Sequence, residues 1–136
     1  MKLSYLDTSA AMKLVLDEAE SEVLVEALAD GQDGHLIAAW LLHTEMHCAA
    51  GRHPEQVDTE TVTAVLDTVS LIDVTRGDLL AAGTHAPLRS NDAIHLAVAL
   101  RVGADQMVTY DAELAAASRR AGLAVLAPLP DSSPAR

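Results

Sequence analysis

Four acidic residues stand where this chain should be burying apolar side chains. Asp7 closes "SYLD", Glu45 lies inside "LLHTEMHCAA", Asp92 opens "NDAIHLAVAL" and Asp111 follows "MVTY". Three and four positions from Glu45 are Leu41, Leu42, Cys48 and Ala49, so a helix there puts the carboxylate on its core-facing stripe. After Asp92 the residues to Leu100 are apolar except for His95, which predicts a largely buried helix whose N-terminal turn opens into the fold or a cleft. Carboxylates gathered at one cleft repel each other and call for a compensating cation. Mg²⁺ is the natural one, using one or two carboxylates and leaving room for water and substrate phosphate. The chemistry that needs such a site is phosphodiester hydrolysis.

Each acid also has a plainer reading. Asp7 and Asp111 suit the N-caps of the helices that follow them. Asp92 fits a first helical turn capped by Ser90 or Asn91, and Glu45 could sit at the edge of its stripe or pair with an arginine.

The elements that must position these residues alternate along the chain. "MKLSYLD" reads as a strand, "SAAMKLVL" and "ESEVLVEALADG" as helices, the second closed by Gly31, and "GHLIAAW" as a strand. "AWLLHTEMHCAAG" reads as a helix ended by Gly51, and "HPEQVDTETVTAVLDTV" as an amphipathic helical region with Pro54 near its start. "SLIDVT" is a strand and "RGDLLAAGTHA" a helix, followed by the helix from the Asn91 region to about Gly103. "DQMVTY", "DAELAAASRRAG" and "LAVLAP" complete the pattern as strand, helix and strand. The alternation predicts a three-layer α/β/α sandwich with a mainly parallel central sheet. Ligands of such sheets bind outside the carboxyl ends of the strands, where Asp7 and Asp111 fall. Residues 1–127 read as one domain and the proline-containing 128–136 as a flexible tail.

Twenty Asp and Glu against nine Lys and Arg give a net charge of −11, the wrong sign for general attraction to nucleic acid. A nucleic-acid substrate would need bound cations, a basic rim on a dimer, or a few arginines such as Arg89, Arg119 and Arg120 to offset that field. No apolar run reaches the roughly 20 residues of a membrane span, and the N-terminus lacks a signal pattern. A lone cysteine, Cys48, adds to the expectation of a cytoplasmic protein.

"YLDTSA", the isolated Glu45, "SNDAIHLAVAL" and "VTYDAEL", in that order and spacing, resemble the PIN-domain ribonucleases. Within them the chain resembles the VapC-type toxins of bacterial toxin–antitoxin pairs, over nearly all of Lys2 to Leu126. The resemblance implies an endoribonuclease dependent on Mg²⁺ or Mn²⁺, cutting structured RNA such as transfer or ribosomal RNA and silenced by a VapB-like antitoxin. It implies an acidic quartet of Asp7, Glu45, Asp92 and Asp111, with Asp7 and Asp92 as metal ligands joined by Glu45 and Asp111. Thr8, Ser9, Asn91 and Thr109 would support the site by hydrogen bonding, and the protein would be a homodimer. With no Phe, one Trp and two Tyr, base stacking has little to work with, which shifts recognition toward shape and phosphate contacts.

Other readings fit less well. "HTEMH" spaces His43 and His47 for a shared Zn²⁺, yet Glu45 projects roughly 200° around the helix from His43 and no third ligand is placed. These histidines suit a polar or dimer-facing surface. A receiver-like Mg²⁺-binding module expects two adjacent acids after the first strand and a lysine late in the sheet, and neither is present. A PIN fold without activity, kept for protein interaction, is opposed by the presence of all four acids. His95, three residues from Asp92, reads as a hydrogen-bonded core residue or one supporting the site rather than a catalyst.

Overall fold

The computed structural model describes residues 2–30 and 34–131. Five strands form one sheet: β1 (Leu3–Leu6), β2 (His35–Ala39), β3 (Ser70–Ile72), β4 (Gln106–Val108) and β5 (Ala124–Leu126). The order is β3-β2-β1-β4-β5 and every pairing is parallel, so the sheet is wholly rather than mainly parallel. Seven α-helices connect the strands: α1 (Thr8–Val15), α2 (Ser21–Asp30), α3 (Leu41–Arg52), α4 (Thr59–Leu66), α5 (Arg76–Ala82), α6 (Ser90–Arg101) and α7 (Ala112–Arg120).

Strand order and handedness together assign the layers. The chain steps from β1 outward to β2 and β3, then returns across the sheet to β4 and β5. Right-handed crossovers therefore put α1 to α4 on one face and α5 to α7 on the other. α1 packs on α3 and α4, and α6 packs on α5 and α7, as this requires. The strand order reverses between β1 and β4, the switch point outside whose carboxyl ends parallel sheets of this kind bind their ligands. Tyr5, Leu6, Met107 and Val108 line that junction, all fully buried, with Leu42, Met46, Leu96 and Leu114 from the helices packed into the same core.

Several element ends differ from the sequence expectation. α3 passes through Gly51 and stops at Arg52, because a helical glycine is tolerated and the His53 N–H still reaches Ala49 and Ala50 carbonyls. The amphipathic region after His53 is helical only from Thr59, where the Asp58 side chain caps Glu60 N–H; Pro54 lies in the preceding turn. Neither Ser90 nor Asn91 caps α6. Arg89 holds the extended cap position without a side-chain bond, so Ser90, Asn91 and Asp92 form the first turn. Gly31 and residues 132–136 of the expected tail lie outside the described residues, while the Pro128 carbonyl accepts a 2.7 Å bond from Tyr110.

The turns into β4 and β5 depend on glycine. Gly103 (φ 74°) and Gly122 (φ 96°) follow α6 and α7 in left-handed conformation. In each, the next N–H bonds five residues back, Ala104 to Ala99 and Leu123 to Ser118, closing Schellman motifs that aim the chain into the sheet.

Candidate active site

Asp7 sits at the switch point as the last residue before α1. Its N–H continues the sheet by bonding to the Val108 carbonyl of β4, and its side chain caps α1 by accepting from Ala10 N–H at 2.9 Å. The cap reading is thus correct for Asp7, yet the carboxylate does more. Ser9 Oγ donates to both its oxygens (2.8 and 3.0 Å) and Thr109 Oγ1 donates to Oδ2 at 2.7 Å. Thr109 Oγ1 in turn accepts from Asp111 N–H at 3.0 Å, and Ser9 Oγ from Tyr110 N–H at 2.9 Å. These hydroxyls tie the end of β1 to the end of β4 and fix the rotamer of a carboxylate only 2% exposed. Burial raises the Asp7 pKa, opposed by the bonds from Ala10, Thr109 and Ser9 and by the nearby His95.

Asp111 caps α7 through a 2.8 Å bond from Leu114 N–H, half-buried on the other side of the same junction. Asp92, in the first turn of α6, is half-buried as well. Its carboxyl is pushed above the ordinary aspartate value first by burial, then by the negative charges of Asp111, Asp7 and Glu45. All four acids therefore share one electrostatic neighbourhood.

Glu45 reaches this edge from α3. It is not paired with arginine: Thr8 Oγ1 donates to Oε1 at 2.7 Å, His95 Nε2 lies 2.5 Å from the same oxygen, and Asn91 Nδ2 stands 3.5 Å from Oε2. Burial raises its pKa, but the His95 bond and charge, with Thr8 and Asn91, outweigh it and hold Glu45 below the usual range.

His95 is 1% exposed and lies between Glu45 and Tyr5, whose hydroxyl is 2.6 Å from Nδ1. The Tyr5 oxygen already accepts from Ala39 N–H at 2.9 Å. Burial drives the phenol pKa far upward, opposed by that bond and reinforced by the charges of Glu45 and Asp7, so the phenol keeps its proton. The Tyr5 hydroxyl and His95 Nδ1 share one buried hydrogen bond, and Nε2 on the other side of the ring bonds Glu45. A chain of bonds thus runs from the β2 backbone through Tyr5 and His95 to Glu45. Tyr5 escaped the sequence reading because one tyrosine in an apolar strand carries no local signal.

The structure brings Asp7, Glu45, Asp92 and Asp111 to one edge of the sheet, with Thr8, Ser9, Asn91 and Thr109 each bonded to one of them or to a bridging neighbour. Among the described residues no lysine or arginine forms an ion pair with any of the four acids. Nor do three acidic, histidine or cysteine side chains already close on a single point as a complete cage. An open, oxygen-rich edge of this kind leaves coordination positions for water and substrate. His43 and His47 lie on another face of α3, their rings 4.5 Å apart, away from the acids.

Residues 4–120 match the PIN domain family. Ribonuclease VapC35 of Mycobacterium tuberculosis is 35% identical over 133 residues, covering 91% of this chain and 96% of the relative. Ribonuclease VapC46 of the same species is 34% identical over 132 residues, covering 94% and 99%. The fold is similar to PAE2754 from Pyrobaculum aerophilum, with a TM-score of 0.66 at 19% identity over 91% of this chain and 83% of that one. It is also similar to a chain of a toxin–antitoxin complex from Klebsiella pneumoniae, with a TM-score of 0.64 at 18% identity over 83% and 90%. With the five-stranded parallel sheet and the acidic edge, these matches show that the chain belongs to the PIN-domain family, among the VapC ribonucleases.

Proposed function

We propose that the protein is a divalent-metal-dependent endoribonuclease serving as the toxin of a toxin–antitoxin pair. The observation that carries the reading is the gathering of four acids at one sheet edge, where the Asp92 carboxyl is raised by burial and by the charges of Asp111, Asp7 and Glu45, and where no lysine or arginine among the described residues pairs with the set. Half-buried carboxylate oxygens under mutual repulsion suit a hard cation such as Mg²⁺ or Mn²⁺. Asp7 and Asp92 would hold it, with Glu45 and Asp111 completing the acidic set. Bound there, such an ion polarises a phosphodiester and supplies a water of lowered pKa.

The remaining roles fall to side chains of the chain itself. Ser9 and Thr109 hold Asp7 in one rotamer, so its charge stays at the cleft without reorganisation. Thr8 and His95 hold Glu45 ionised, and Asn91 extends from α6 toward its second oxygen. Asp111, fixed as the cap of α7, closes the far side. Names of the sequence relatives support RNA as substrate, with transfer or ribosomal RNA as candidates. The Klebsiella neighbour's description as a toxin–antitoxin complex supports a VapB-like antitoxin, whose basic segment would suit this acidic edge. A homodimer would be the acting form.

The decisive experiment incubates antitoxin-free protein with total RNA in Mg²⁺ or Mn²⁺ and maps the new ends. Cleavage that stops on chelation and in Asp7→Asn is expected. RNA left intact under both ions, or cut equally by Asp7→Asn, would overturn the proposal. Co-purification with a small protein encoded beside it is expected too, and full ribonuclease activity in that complex would rule out inhibition by occlusion of the site.

A further inference from the structure

We infer that Arg89 grips a backbone phosphate of the RNA beside the acidic edge; the inference rests on the ribonuclease reading above. The net charge of −11 opposes an anionic substrate at long range, so a cation near the acids has to hold the strand locally. Few are free to do so. Of the nine Lys and Arg, Arg136 lies outside the described residues, and Lys13 and Arg101 are engaged with Glu18, Glu20 and Asp78. Lys2, Arg52, Arg76, Arg89, Arg119 and Arg120 remain, all exposed and without an ion pair among the described residues.

Position separates these cations. Lys2 precedes β1, about 16 Å of extended chain from Asp7 and at the opposite edge of the sheet. α3 carries the chain away from the acids, so Arg52 lies about 10 Å beyond Glu45 along the helix axis. α7 does the same for Arg119 and Arg120, about 12 and 14 Å beyond Asp111. Arg76 starts α5 two residues before Asp78, which is bonded to Arg101 at the far end of α6, about 14 Å from Asp92. Arg89 alone stays close. It holds the cap position of α6, three residues before Asp92 and about 4.5 Å from it along the axis.

The segment that leads into Arg89 fixes its other side. Pro87 and Leu88 share a cleft of about 390 Å³ with Glu113, Ala116 and Arg120 of α7, the helix that Asp111 caps. Arg89 is therefore set between the starts of α6 and α7, where Asp92 and Asp111 stand. Glu113 on the cleft wall disfavours an anion running down α7 toward Arg120, which confines the contact to the acidic edge. The Arg89 side chain makes no cap bond and pairs with no acid, so its guanidinium is open to an anion from outside. A planar fork of permanently charged donors matches phosphate oxygens, and the substrate phosphates are the anions that hydrolysis brings to this edge. Such a contact sets the register of the strand without reading its bases, which suits a chain with one Trp, two Tyr and no Phe for stacking.

Labelled single-stranded oligoribonucleotides of unrelated sequence, bound to antitoxin-free protein in Ca²⁺ and followed by anisotropy across a KCl series, read the contact directly. Arg89→Gln should weaken every one of them about fivefold and make the slope of log affinity against log salt shallower by about 0.7–0.9, the loss of one phosphate contact. Arg89→Lys keeps the charge but not the fork, so it should restore the slope and only part of the affinity. Arg120→Gln should bind as wild type. In RNA cleavage, Arg89→Gln should raise KM by the factor lost in binding, with kcat changed by less than about twofold. Wild-type affinity and slope in Arg89→Gln would overturn the inference and leave the ribonuclease standing, as would an equal loss in Arg120→Gln. RNA binding that depends on Arg89, without cleavage in Mg²⁺ or Mn²⁺, would uphold the contact and overturn the ribonuclease reading. An Arg89→Gln protein that binds RNA as wild type, but no longer co-purifies with the small protein encoded beside it, would assign the arginine to the antitoxin and overturn the inference.

Discussion

Replacing Tyr5 with phenylalanine removes one oxygen from the interior and tests whether the hydrogen-bonded chain to Glu45 is structural currency or ornament. That oxygen accepts from Ala39 N–H at 2.9 Å and bonds His95 Nδ1 at 2.6 Å. Both groups are buried, and a buried polar group left without a partner costs about 1–3 kcal/mol. Two such losses, partly offset because the ring itself is kept, give about 2–4 kcal/mol. For a domain of this size each kcal/mol lowers Tm by about 4 °C, so a fall of about 8–16 °C is expected. Urea unfolding followed by far-UV circular dichroism gives the free energy, and differential calorimetry gives Tm. The same variant should cleave RNA more slowly below its Tm, because His95 loses the bond that orients its Nε2 toward Glu45. A Tyr5→Phe protein within about 0.5 kcal/mol of wild type, well under the cost of one unpartnered buried group, would refute the assignment of Tyr5 as the anchor of His95.

Two further perturbations separate function from stability. Asp7→Asn should abolish cleavage yet raise the urea midpoint, because burial raises the Asp7 pKa and the ionised form therefore works against the fold. The sign follows from the shift: wild type and variant should match below about pH 4 and diverge as pH rises through the raised pKa. A variant less stable than wild type at neutral pH would contradict it. Asp78 behaves in the opposite sense, since Arg101 lowers its pKa, against burial and with help from Thr75. It accepts two bonds from Arg101 (2.7 and 3.0 Å) and completes the capping box of α5 with Thr75. Its contribution is present above the ordinary aspartate pKa and is lost as pH falls through the lowered one. Asp78→Ala should lose about 2–4 kcal/mol at neutral pH, from a cap and charge-assisted bonds, with the difference shrinking in acid; circular-dichroism melts at several pH values check both points.

The caps and the acidic edge are not rival explanations of the same aspartates. Asp7 and Asp111 each accept a helix N–H through one oxygen, Oδ1 in both cases. In Asp7 the other oxygen takes the Thr109 hydroxyl, and in Asp111 it takes none of the described hydrogen bonds. Placing carboxylates at helix starts stabilises the fold locally, which offsets part of the repulsion that a gathered set creates.

Local pattern by itself determined the alternation of strands and helices, because periodicity and turn residues act within a few positions. It also determined that Asp7 and Asp111 start helices, that the helix after Asp92 is buried, and that four acids occupy places where capping or burial has to be explained. The element ends were less legible. Arg89 rather than Ser90 or Asn91 holds the cap position of α6, and Asn91 reaches toward Glu45 on α3 instead. Only the tertiary structure decided which strands are neighbours, and hence that Asp7 and Asp111 meet across β1 and β4. It alone decided that Glu45 is partnered by His95, 50 residues away, and that Tyr5 anchors that histidine from 90 residues away. Such partners are invisible in the sequence for a physical reason. A helical period or a strand alternation constrains which face a side chain takes, whereas its partner across the sheet edge is set by strand order and crossover handedness, which no local spacing records.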